Sequence, residues 1–116
     1  LGRERREKLA PQEIRAQLHR IRSSSAFESH GLGRTLEFVV EEALAGRGDR
    51  IDDYSVGVKG LGFPPDFTPS TNPAVRVLLK YTRQALKAYY GDQGVKDPIR
   101  IEIPPGSCTP SFSPNL

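Results

Sequence analysis

The 116-residue chain has no methionine, no tryptophan and a single cysteine, Cys108. One thiol excludes a disulfide framework and a cysteine-based zinc site. The two histidines, His19 and His30, lack the paired spacing of metal ligands, so no metal and no cofactor is expected. No apolar run approaches the roughly 20 residues a membrane-spanning helix needs. The charged N-terminus has no apolar stretch behind it and does not read as a secretory signal. A cytoplasmic, reducing setting is therefore the expectation. A chain that opens on Leu1 and carries no methionine is expected to be trimmed, or cut from something longer.

Net charge is small, +3, but unevenly spread. Residues 1–22 carry +4, residues 23–71 carry −4, residues 72–90 carry +4 with no acidic side chain, and residues 91–116 carry −1. Two cationic segments around an acidic middle suit a protein that meets a polyanion on one side.

The first ten residues are charged and lack an apolar stripe, and read as a flexible basic arm before one domain over residues 11–116. Pro11 suits a first helical turn, and Ile14, Leu18 and Ile21 mark one helical face that ends near Ser23. Leu32, Leu36, Val39, Val40, Ala43 and Leu44 predict a second helix, stopped by Gly46 and Gly48. Asp52 or Asp53 would cap a short third helix carrying Tyr54, Val56 and Leu61, a reading that Gly57 and Gly60 weaken. Residues 62–71, with Pro64, Pro65 and Pro69, read as a loop. Asn72 as N-cap, Pro73 at N1 and Gly91 as terminator bound a long helix ending at Tyr90. Ile99, Ile101 and Ile103 then alternate with Arg100 and Glu102 as a strand, Pro105-Gly106 fits a type II turn, and residues 108–112 form the return strand. The expected fold is mainly α with a C-terminal β-hairpin.

On the long helix, Val75, Leu78, Leu79, Thr82, Leu86 and Tyr89 share one side, and Arg76, Lys80, Arg83 and Lys87 fall at i, i+4, i+7 and i+11 on another. They make a cationic stripe about 16 Å long at 1.5 Å per residue, comparable with a DNA major groove about 12 Å wide. Most charge runs are merely solvated faces, but those usually mix signs to gain i,i+4 pairs; this one repeats like charges. A hairpin directly after such a helix is the arrangement of a winged helix-turn-helix. Catalysis has less to stand on. Glu41 and Glu42 are adjacent and point apart on a helix, and residues 57–62 are not a phosphate-binding fingerprint. No enzyme is expected.

Residues 76–86, then Asp97-Pro98-Ile99-Arg100, then Ile103-Pro104-Pro105-Gly106-Ser107 resemble the C-terminal half of OmpR-type winged-helix effector domains. Over about residues 12–112 the chain is also similar to the N-terminal winged-helix segment of bacterial cyclase-like and tetratricopeptide-repeat regulators. The matching stretches are residues 14–18, 38–46, 65–67 and 72–77. Two departures stand out: the chain opens with a helix where OmpR-type domains open with a sheet, and Thr82 and Cys108 replace an arginine and a tyrosine common in the second group. Thr82 is then a place where base reading would differ, and Cys108 a small core or wing residue. The resemblance implies a nucleoid-associated transcriptional regulator that binds double-stranded DNA. Arg76, Lys80 and Arg83 would reach bases or phosphates; Lys87, Arg100 and Ser107 would hold the backbone; Thr71 and Asn72 at the helix start would accept a phosphate. The basic arm would trail into a minor groove or fold on contact. The alternative is a winged-helix protein-interaction or input module of a larger signalling protein. Its contact would be the loop over residues 60–71, with Phe63 and Phe67, which in OmpR-type domains meets RNA polymerase. A homodimer through the first helix would supply a two-fold site.

Overall fold

Pro11 opens the first helix, α1 (Pro11–Arg22), where the Glu13 carboxylate accepts the Ala10 N–H at 3.0 Å. Its apolar stripe, Ile14, Leu18 and Ile21, is buried with Gln17 between. A 3₁₀ turn, Ser25–Phe27, seats Phe27 in the core and leads to α2 (His30–Leu44), whose Leu36, Val39 and Val40 are fully buried. The computed structural model describes residues 9–116, so the arm's Arg3, Arg5, Arg6 and Lys8 lie outside the described residues. Arg15–Glu41 and Arg22–Glu37 ion pairs join α1 to α2; both are solvent-exposed and add little to the packing beneath them.

Asp52, not Asp53, caps the third helix: its Oδ1 accepts the Ser55 N–H at 2.8 Å while Ser55 Oγ accepts the Asp52 N–H at 3.0 Å. This helix, α3, is α-helical over Asp53–Ser55 and widens into a π-helical turn over Val56–Gly60. The glycines that weaken its sequence signal are there for close approach. A Cβ on Gly57 would stand 2.8 Å from the Phe67 ring, and one on Gly60 would stand 2.8 Å from the Phe38 ring. Both distances are tighter than side-chain contacts permit, so α3 packs only with bare backbone at these points.

After the loop comes α4, Ala74–Tyr90. It starts later than Asn72: the first backbone bond of the helix runs from the Val77 N–H to the Pro73 carbonyl, and Asn72 caps from outside by accepting the Ala74 N–H at 3.0 Å. Val75, Leu79, Thr82, Leu86, Tyr89 and Tyr90 are buried. The buried threonines Thr35 and Thr82 satisfy their hydroxyls on the carbonyls four residues back, each at 2.6 Å.

An antiparallel hairpin closes the chain, with β1 (Ile99–Glu102) pairing β2 (Ser111–Pro114) so that Ile101 faces Phe112. The turn forms where the sequence places it. Gly106 has φ 78°, which the third position of a type II turn demands, and the Ser107 N–H reaches the Pro104 carbonyl at 3.1 Å. The return strand, however, is later than residues 108–112. Residues 107–110 form a loop instead, in which the Thr109 hydroxyl donates to the Gly48 carbonyl at 2.6 Å and Pro110 is buried. Among the described residues the result is four helices with a two-stranded C-terminal hairpin. Among the described residues no helix is long and apolar enough to cross a membrane.

Candidate nucleic-acid interface

The hairpin is held to α4 from below and from the side. Below, Tyr90 Oη donates to the Ile99 carbonyl at 2.8 Å and accepts the Ile101 N–H at 2.9 Å, so it pairs the edge of β1 that faces the helix. Gln17 on α1 reaches the same place, donating to Tyr90 Oη at 3.3 Å and to Asp97 Oδ2 at 2.9 Å. Tyr89 also donates to Asp97. Burial pushes the Tyr90 phenol up to about 12, so it keeps the proton it donates. Burial also works to raise the Asp97 carboxyl, but the hydrogen bonds from Tyr89 and Gln17 and the field of Arg20 outweigh it and hold the group below its usual value.

The lateral tie is Arg83. Its Nε donates to the Ile103 carbonyl at 3.1 Å and its Nη2 to the Ser107 carbonyl at 2.6 Å, clasping the turn from both ends. Arg83 is thus engaged within the fold rather than extended outward with the other members of its stripe. Ser107 is engaged too, its Oγ accepting the Thr109 N–H at 3.0 Å.

The remaining cations stay outside. Arg76, Lys80 and Lys87 are exposed along one edge of α4. Arg76 uses one donor on the Pro69 carbonyl at 2.9 Å, which fixes the end of the loop. Among the described residues Lys80 and Lys87 form no ion pair. Arg100 stands across a cleft from Lys87, its guanidinium carbon 4.7 Å from the Tyr90 ring centroid and its Nε 2.9 Å from Glu102. That cleft, about 420 Å³ between α4 and the hairpin, has Leu86, Tyr90 and Ile103 in its wall, with Arg83, Lys87, Arg100 and the Glu102 carboxylate also lining it.

Thr71 and Asn72 lie apart from this group, in the turn that precedes α4. Thr71 Oγ1 donates to the Thr68 carbonyl at 3.3 Å, and the Asn72 carboxamide occupies the Ala74 N–H. With Pro73 lacking an N–H, the helix start offers a phosphate fewer donors than a bare terminus. Thr82 has no exposure at all and faces the core, so it reads no base.

The loop before α4 turns its aromatics inward: Phe67 is buried, and Phe63 meets it edge-on at 5.0 Å between centroids. The surface offered to a protein partner there is smaller than its two phenylalanines suggest. On α1 the apolar stripe is likewise consumed by the core, and the outer face carries Gln12, Arg15, His19 and Arg20. Cys108 is half-buried in the loop after the turn, with Sγ 3.4 Å from Asp53 Oδ1. Burial and then Asp53 push its thiol up to about 11, which keeps it protonated and unreactive.

Sequence periodicity alone misses a further line on α4. Opposite the buried residues lie Val77, Tyr81, Gln84 and Ala88, all exposed. The sequence signal for this line is its angular distance from the apolar stripe at 3.6 residues per turn.

No family model, curated protein or solved structure matches the chain.

Proposed function

We propose that the chain is a winged helix-turn-helix domain that binds duplex DNA for transcriptional control, with α2, α3 and α4 as its helices and the hairpin as its wing. In this reading α4 enters the major groove. Arg76, Lys80 and Lys87 neutralise phosphates along one groove wall, Arg100 does so from the wing, and Arg83 holds the wing in place. The observation that carries the reading is the acid-free surface of α4. Three exposed cations share one edge of a 17-residue helix that carries no carboxylate, and Lys87 at the end of that edge borders the cleft beside the hairpin. Like charges repeated along an edge repel one another unless a polyanion covers them.

The test is the double variant Lys80→Ala/Lys87→Ala. Both side chains are exposed, so circular dichroism and thermal unfolding are expected to match the parent. Duplex affinity is expected to fall by a similar factor on every sequence, and the logarithmic salt slope to shrink by about 1.8, at about 0.9 per lost phosphate contact. Unchanged affinity and slope would remove α4 from the interface.

A further inference from the structure

We propose that α4 selects A·T base pairs, Gln84 reading an adenine while Val77 and Tyr81 pack on thymine methyl groups of the same short core. This rests on the DNA-binding reading above and names what that site prefers. The buried residues Val75, Leu79, Thr82 and Leu86 fix which way α4 faces. At 3.6 residues per turn, the line diametrically opposite runs through Val77, Tyr81, Gln84 and Ala88, all exposed. When the cationic edge of the helix lies along a groove wall, this outer line is the part that meets the base edges.

The chemistry of the line is not that of a solvated face. Val77 is 41% exposed and Tyr81 50%, large hydrophobic groups one helical turn apart on the exposed face of α4. A second copy of the chain is a poor cover for them. The same helix carries Arg76, Lys80 and Lys87 beside the line and no acidic residue, so two such faces repel. A polyanion is the complementary cover.

The residue types then decide which bases are read. Neither arginine nor lysine stands at the centre of the line to bond guanine O6 and N7. Instead the Gln84 amide offers a donor and an acceptor matched to adenine N7 and N6, while Val77 and the Tyr81 ring suit the thymine C5-methyl. From Val77 to Gln84 is about 10.5 Å along the helix at 1.5 Å per residue. That is roughly three base-pair steps at 3.4 Å each, so these contacts fall in one short run. Lys80, between the outer line and the cationic edge, remains available to a phosphate at the end of that run.

Selection from random duplexes, carried out on the chain and on Gln84→Ala, tests the proposal, with low-salt binding to mixed-sequence duplex and circular dichroism as controls. The parent is expected to enrich a run of A·T pairs. Gln84→Ala is expected to lose roughly tenfold of its preference at one adenine, near the lower end of what a bidentate pair discriminates, while keeping its low-salt binding and its fold. Replacing the selected thymines by deoxyuridine, which removes only the methyl, should weaken the parent severalfold and leave Val77→Ala nearly indifferent. An enriched run of G·C pairs, a Gln84→Ala variant with undiminished preference, or Val77 and Tyr81 variants that alter only the oligomeric state would each overturn it. Low-salt duplex binding without any selected sequence overturns this inference alone. Absence of binding even at low salt overturns the DNA reading and this inference with it.

Discussion

Tyr90→Phe is expected to lower the unfolding free energy by about 2–4 kcal/mol, since each buried backbone group left without a partner costs about 1–3 kcal/mol. The substitution removes one oxygen and almost no volume. That oxygen is buried, and it serves both the Ile99 carbonyl and the Ile101 N–H. Without it the edge of β1 facing α4 loses both partners in a place that water does not reach. Gln17 keeps its second bond, to Asp97, so the damage is confined to the strand. For a domain of this size such a loss corresponds to a fall in melting temperature of roughly 10 °C or more. Equilibrium denaturation checks it; a loss under about 0.5 kcal/mol, the range of an ordinary surface change, would mean the Tyr90 hydroxyl does not hold the strand.

Arg83→Ala is expected to behave unlike the loss of any other cation on α4. Its guanidinium donates to two carbonyls at the two ends of the hairpin turn, Ile103 and Ser107. Hydrogen bonds from a charged group contribute about 1.5–3 kcal/mol, and the partial exposure of the side chain discounts that figure, so about 1–2 kcal/mol of stability should go. Hydrogen exchange should quicken at the Ser107 and Thr109 amides, which bond within that turn. Duplex affinity should fall because the wing is no longer held, with the salt slope nearly unchanged. Arg83→Lys should restore the charge but not the turn, because one ammonium lacks the planar fork that spans both carbonyls. Unaltered stability together with a salt slope reduced by about 0.9, the signature of one lost phosphate contact, would make Arg83 a backbone contact instead.

Arg83 also marks where sequence reasoning runs out. Its place on the i, i+4, i+7 stripe is legible, but its partners lie 20 and 24 residues downstream, and no local pattern reports them. Gln17 is a stronger case. It looks like one more polar residue on an amphipathic helix, yet it is fully buried, since Tyr90 and Asp97, 73 and 80 residues away, satisfy its amide. What depended on local periodicity came through well. The apolar faces of α1, α2 and α4 and the alternation of β1 follow from side-chain spacing that the backbone geometry imposes. The Gly106 turn follows from the need for a positive φ. The return strand came late because a long-range bond, Thr109 to Gly48, draws the chain away before pairing resumes. The third helix gave a weak signal because Gly57 and Gly60 serve two aromatic rings rather than helix propensity. On the candidate site, Lys80, Lys87 and Arg76 stand exposed as their spacing implies, and Thr82 is buried on the apolar face where its spacing puts it. The engagement of Ser107, whose carbonyl takes the Arg83 guanidinium, comes from a partner 24 residues away.

The account depends most on whether α4 and the wing meet a polyanion through Arg76, Lys80, Lys87 and Arg100. A duplex-binding titration from about 50 to 200 mM salt measures this directly. Four neutralised phosphates predict a slope of about −3.6 in log affinity against log salt, at about −0.9 per contact. Affinity that does not change across that range would contradict the interface.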